Sequence, residues 1–140
     1  MKLSEIVVPN AIITDLAGAE RDDAIAEIVK AIIKREKRGS TGFGHGVAVP
    51  HVKHAAISKM AVAIGISRGG IEFNALDKQP VYSIFLLLSP EDKPEDHLDA
   101  MEAIFGNLSQ ETFRRFLRQA SSVDDVMTLL EEADAGAAKR

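Results

Sequence analysis

Val81-Tyr82-Ser83-Ile84-Phe85-Leu86-Leu87-Leu88 is an almost unbroken apolar run. Its density of large side chains predicts a strand covered on both faces. A helix start follows: Pro94 suits a first helical position and Glu95 and Asp96 suit a first turn. Leu98, Met101, Ile104, Phe105 and Leu108 then form one apolar stripe. Upstream, Met60 to Ser67 alternates and is rich in small apolar residues, which reads as a second strand. Arg68-Gly69-Gly70 and Asn74-Ala75-Leu76-Asp77 read as turns, either of which joins antiparallel neighbours.

Further out, residues 22–37 carry Ile25, Ile28, Val29, Ile32 and Ile33 at helical spacing, with Lys34, Arg35, Lys37 and Arg38 at the cationic end and Gly39 as the stop. Ser109 reads as the cap of a third helix bearing Phe113, Phe116 and Leu117, and Ser122 with Asp125 as a capping box before Val126, Leu129 and Leu130. Strands interleaved with helices predict an α/β sandwich with a central mixed sheet. The chain of 140 residues is read as one domain, with about 133–140, small and charged without periodicity, as a flexible tail.

Composition narrows the function. A net charge of −4 with 27% charged residues offers no basic stripe for nucleic acid. The absence of cysteine removes thiolate metal sites and cysteine nucleophiles. No apolar signal core stands at the N-terminus and no run approaches bilayer length, so the expectation is a cytoplasmic protein without membrane insertion.

The chemistry concentrates in Gly39-Ser40-Thr41-Gly42-Phe43-Gly44-His45-Gly46-Val47-Ala48-Val49-Pro50-His51. Glycines permit close backbone approach, while Pro50 fixes φ and makes Val49 extended, so His51 stands on a stiff mount at a strand end. An imidazole with an ordinary pKa near ~6.5 is neutral and nucleophilic at physiological pH, and histidine forms covalent intermediates. On residue types alone, the competing reading is an ordinary surface histidine beside a glycine turn. The loop is neither a P-loop nor a dinucleotide fingerprint.

His97 lies within about a turn of the Pro94 helix start, on the face shared by positions 97, 101, 104 and 108, and should be partly buried near amides that favour an anion. Arg35, in the last turn before the glycine loop, is placed to contact an anion near His51. Ser40 and Thr41 either bind a phosphoryl oxygen or close the turn. His45, His51 and His54 lack zincin spacing and a carboxylate among them, so no metal and no cofactor are expected. His54 reads as an exposed loop residue with Lys53.

Arg35-Glu36, Gly39 to Gly44 and Gly46-Val47-Ala48-Val49-Pro50-His51 together resemble the signature of bacterial phosphotransferase-system EIIA domains of the fructose/mannitol type. The Gly-Ser-Thr-Gly core looks most like the nitrogen-regulatory branch. The resemblance covers almost the whole chain. It implies that His51 accepts a phosphoryl group from an HPr-like phosphocarrier and passes it to an EIIB-like partner or holds it as a regulatory signal. It further implies His97 as phosphoryl stabiliser and Arg35 as a phosphoryl contact. Two positions depart from the pattern: Val52 follows the histidine where a small residue is usual, and His45 stands where a small polar residue such as asparagine is common. Phe43 and Val52 are candidate partner contacts. A non-catalytic regulatory module that docks on a target protein is the alternative, and a histidine-metal hydrolase is a third. Two imidazoles sharing one phosphate-sized site would titrate as a coupled pair, one neutral and one charged, with a bell-shaped pH dependence of transfer.

Overall fold

The apolar run around Phe85 forms the central strand of the sheet, in a computed structural model that describes residues 1–13, 29, 32–55 and 57–138. The elements are α1 (Leu3–Ile6), β1 (Val7–Ile13), α2 (helical residues 32–37), β2 (Gly42–Gly44), β3 (Val47–Ala48) and β4 (His51–His54). There follow β5 (Ala61–Ile71), β6 (Val81–Pro90), α3 (Pro94–Leu108), α4 (Glu111–Gln119) and α5 (Val123–Ala138). Val29 is helical too, and the remainder of the helix expected over 22–37, with Ile25 and Ile28, lies outside the described residues.

The strands run β1-β5-β6-β3-β2, and β4 also pairs with β6. β6 is antiparallel to β5 but parallel to β3 and β4, so the sheet is mixed, as the interleaved pattern predicts. Along β6 the burial alternates: Val81, Ser83, Phe85, Leu87 and Ser89 are buried, while Tyr82, Ile84, Leu86 and Leu88 are half-buried. The strand therefore has one fully covered face rather than the two expected. Phe85 and Leu87 meet Val62, Ile64, Ala100, Ile104 and Leu117 in the main core.

Helix α3 uses a slightly different face from the expected stripe. His97, Ala100, Ile104 and Leu108 are buried, whereas Leu98 is 63% exposed. Small Ala100 lets the helix settle close on the sheet, and the packed stripe follows the 3-4-4 spacing that includes it. Ser109 ends α3, its hydroxyl bonding Gly106 O, instead of capping α4, whose cap is Gln110. The Ser122 hydroxyl does cap α5 by accepting from Asp125 N, and the Asp125 carboxylate reaches back one residue further, to Ser121 N and Oγ.

Arg68-Gly69-Gly70 is not a turn. It lies inside β5 as an irregularity between the pairs Ile66–Ser83 and Ile71–Val81. Gly70 has φ +81°, and a Cβ there would lie 2.9 Å from Pro80 Cβ and from the Tyr82 ring. The Asn74–Asp77 turn does join β5 to β6, with Asn74 at φ 56° and Lys78 N bonding Ala75 O. The expected tail is mostly helix: α5 continues to Ala138 and Ala133 packs on the core. The Asp134 carboxylate accepts Leu3 N at 2.9 Å, Ser4 N at 3.1 Å and the Ser4 hydroxyl, tying α5 to α1.

Candidate functional site

The site grows from the end of α2. There the Glu36 carboxylate gathers three donors: Thr41 N at 2.7 Å, Thr41 Oγ1 at 2.6 Å and Ser40 Oγ at 3.2 Å. Ser40 Oγ in turn accepts from Gly42 N, and Arg35 Nη1 donates to Gly39 O at 2.8 Å, closing the helix end. Gly42 passes so close to Ala75 that a Cβ would lie 2.8 Å from Ala75 Cβ, while Gly42 O accepts Leu76 N. A glycine is thus required where the loop crosses the β5–β6 turn.

β2 and β3 then form a tight hairpin in which His45 and Gly46 both take positive φ, 58° and 77°. That conformation suits Gly and Asn, and His is among the other residues that tolerate it. It accounts physically for the position where the signature carries a small polar residue.

Beyond the hairpin the ladder to β6 breaks at Val49-Pro50. Proline has no amide proton, and it contributes through its carbonyl, which accepts Leu87 N. Pairing resumes with His51 opposite Leu87, so His51 opens β4 rather than closing a strand. His54 and Lys53 lie in β4, not in a loop.

The His51 ring is held by the residue two positions before it. Nδ1 lies 2.8 Å from Val49 O, and a carbonyl can only accept, so Nδ1 carries a proton and, in the neutral ring, Nε2 is the nitrogen with the lone pair. Val49 N donates to Thr41 O at 3.1 Å. A continuous chain of hydrogen bonds therefore runs from Glu36 through Thr41 and Val49 to the imidazole.

His97 arrives from the other layer. It sits in the first turn of α3, its amide donating to Lys93 O, and the residue is 7% exposed. The two ring centroids are 5.6 Å apart, with planes inclined at 50°. His97 Nδ1 lies 2.7 Å from the buried Ser89 hydroxyl. Burial, then the neighbouring His51 and Lys53, hold the His97 pKa below its ordinary value. The ring is therefore biased towards the neutral form, contrary to the charged partner expected from pairing alone.

Of the residues singled out in the sequence, His51 and His97 are brought together. Thr41 is wholly buried with its hydroxyl on Glu36, Ser40 is half-buried beside it, and Arg35 lies at the loop's entrance on Gly39 O. Phe43, 44% exposed, rests edge-on against Phe105 of α3 at 5.0 Å, and Val52 is half-buried. Two residues that shape the site had been given no role. Glu36 signalled itself by hydroxyls four and five positions later, just past a helix end. Ser89 gave no signal beyond being polar in an apolar strand.

Residues 3–133 match the family described as "Phosphoenolpyruvate-dependent sugar phosphotransferase system, EIIA 2". The chain is 38% identical to the fructose-specific EIIA component of Haloferax volcanii over 84% of this chain and 77% of that protein. It is 29% identical to the fructose-specific EIIABC component of Bacillus subtilis over 96% of this chain, yet spans only 24% of that longer relative. The nitrogen regulatory protein IIA-Ntr of Neisseria meningitidis has the same fold, with a TM-score of 0.82, 31% identity, and 91% of this chain and 98% of that one covered.

Proposed function

The chain belongs to the EIIA type 2 family of the phosphoenolpyruvate-dependent sugar phosphotransferase system, and on that footing we propose that it carries a phosphoryl group on His51 Nε2. The observation that carries this reading is the anchoring of His51 Nδ1 on Val49 O beside the His97 ring. It leaves one nucleophilic nitrogen, held rigidly and next to a second imidazole.

The step is a nitrogen-to-nitrogen transfer. The His51 Nε2 lone pair forms the new N–P bond as the N–P bond of a carrier's phosphohistidine breaks, and the carrier's ring, protonated on its other nitrogen, leaves with the electron pair as neutral imidazole. No proton has to move, because His51 keeps its Nδ1–H on Val49 O and the carrier's ring keeps the proton on its other nitrogen. What the protein supplies is alignment and charge stabilisation. His97 donates to a phosphoryl oxygen, Arg35 at the loop entrance adds cationic donors, and Ser40 and Thr41 hold the loop that fixes the approach. No metal or cofactor enters the step.

The phosphoryl donor in this reading is an HPr-like phosphocarrier and the acceptor an EIIB-like domain or a regulatory target, all in the cytoplasm. Among the described residues no helix is long and apolar enough to cross a membrane. Exposed Phe43, in the glycine loop and braced by Phe105 of α3, suits a docking face. It favours the second reading, that output comes from binding a target protein according to phosphorylation state.

Incubation with phosphoenolpyruvate, the first enzyme of the cascade and the carrier should add one acid-labile phosphate to the chain. His51→Ala should take none while keeping its circular dichroism spectrum. Label on the variant would overturn the assignment, and an unlabelled wild type in every reconstituted cascade would leave the docking module.

A further inference from the structure

Ser89 is wholly buried near the end of β6, and its hydroxyl lies 2.7 Å from His97 Nδ1. Its register explains the meeting. His51 pairs with Leu87 and Lys53 with Ser89, so these four residues share one face of the sheet, the face on which α3 packs.

A hydroxyl can donate or accept, but here the choices are unequal. Were His97 Nδ1 to carry the proton, the Ser89 hydroxyl would accept it and its own hydrogen would need another acceptor. Among the described residues Ser89 Oγ makes no further hydrogen bond. A buried donor without a partner is costly, whereas donation from Ser89 to Nδ1 satisfies both groups.

We infer that Ser89 is a positioning residue: it donates to His97 Nδ1, keeps the single proton of neutral His97 on Nε2, and so makes that ring a hydrogen-bond donor to the phosphoryl group. The two imidazoles then hold opposite tautomers. His51 has its proton on Nδ1 and offers Nε2 as a lone pair, while His97 offers an Nε2–H. Without the serine, neutral His97 is free to put its proton on Nδ1, and its Nε2 lone pair would repel phosphoryl oxygens. Burial, with His51 and Lys53 close by, favours the neutral ring for which this choice of tautomer matters.

The functional consequence rests on the phosphoryl-carrier reading, but the tautomer is measured without any donor. Long-range proton–nitrogen spectra of the full ¹⁵N-labelled chain, recorded at alkaline pH, report which nitrogen of a neutral ring is protonated. The expected result is Nε2–H at His97 and Nδ1–H at His51. Ser89→Ala should turn His97 into a mixture of tautomers and slow transfer roughly tenfold, and Ser89→Thr should restore both. Nδ1–H at His97 in the wild type overturns the inference, as does a Ser89→Ala variant with an unchanged His97 tautomer. A shifted tautomer with an unchanged rate overturns the positioning role. If Ser89→Ala fails to fold, the wild-type spectrum still decides the tautomer. A wild type that accepts no phosphate refutes the carrier reading alone, and the spectrum still decides who holds the proton.

Discussion

At the scale of single residues, the site divides its work between a ring that must attack and groups that must hold. His97→Ala and Arg35→Ala should each retain some phosphorylation but lose transfer rate, by about 10²- to 10³-fold for the loss of a preorganised donor such as His97. Rapid-quench transfer assays will show this, and wild-type rates would remove either residue from the site. The lowered pKa of His97 has a defined sign. The folded chain binds that proton less tightly than the unfolded one, so the stability it contributes is complete above the ordinary histidine value near ~6.5 and is lost as pH falls through the folded value. Wild-type stability should therefore drop more steeply on acidification than that of His97→Gln in urea titrations across this window. Phosphorylation of His51 should raise the His97 pKa, since a charge near −2 favours imidazolium. His51 was legible because loop, proline and histidine are contiguous. Ser89 was not, because its meaning lies in a contact between a strand and the helix after it.

At the scale of elements, Glu36 joins helix to strand. Its carboxylate holds the buried Thr41 amide and hydroxyl, Thr41 O holds Val49, and Val49 O holds the ring of His51. Glu36→Ala should destabilise the fold by about 1–3 kcal/mol for the buried groups left unpaired and slow transfer. Glu36→Gln, able to accept from the amide and donate to the hydroxyl, should keep most of both. Equal loss in the two variants would show that charge, not connectivity, is the requirement. Alternation and apolar density located β5, β6 and α3, since periodicity reports which face a backbone buries. They failed where packing chose between equivalent readings. Leu98 points to solvent because Ala100 allows the closer approach, and a Gly-Gly pair that reads as a turn is a strand irregularity shaped to Pro80 and Tyr82.

For the whole molecule, the Asp134 carboxylate ties the last helix to the first. Asp134→Ala should cost about 1–3 kcal/mol, read as a lower urea midpoint with unchanged slope, and a shift within error would reduce the tie to a surface contact. No periodicity announces a bond between residues so far apart, and a small, charged C-terminal segment reads as frayed until its partner is known. The mixed sheet has a further consequence, in the order of events as the chain is made. Val7 of β1 pairs with Val62, and β3 and β4 take their places against β6, which comes later still. At roughly 5–20 residues per second, β1 stands without its neighbour for several seconds, and the histidine strand, nearer in sequence to its partner, waits a shorter time. The β5–β6 hairpin, made of adjacent segments, is the template on which the earlier half of the sheet assembles. Nascent chains cut short before β6 would carry the whole histidine signature with only the small β2–β3 hairpin to hold it.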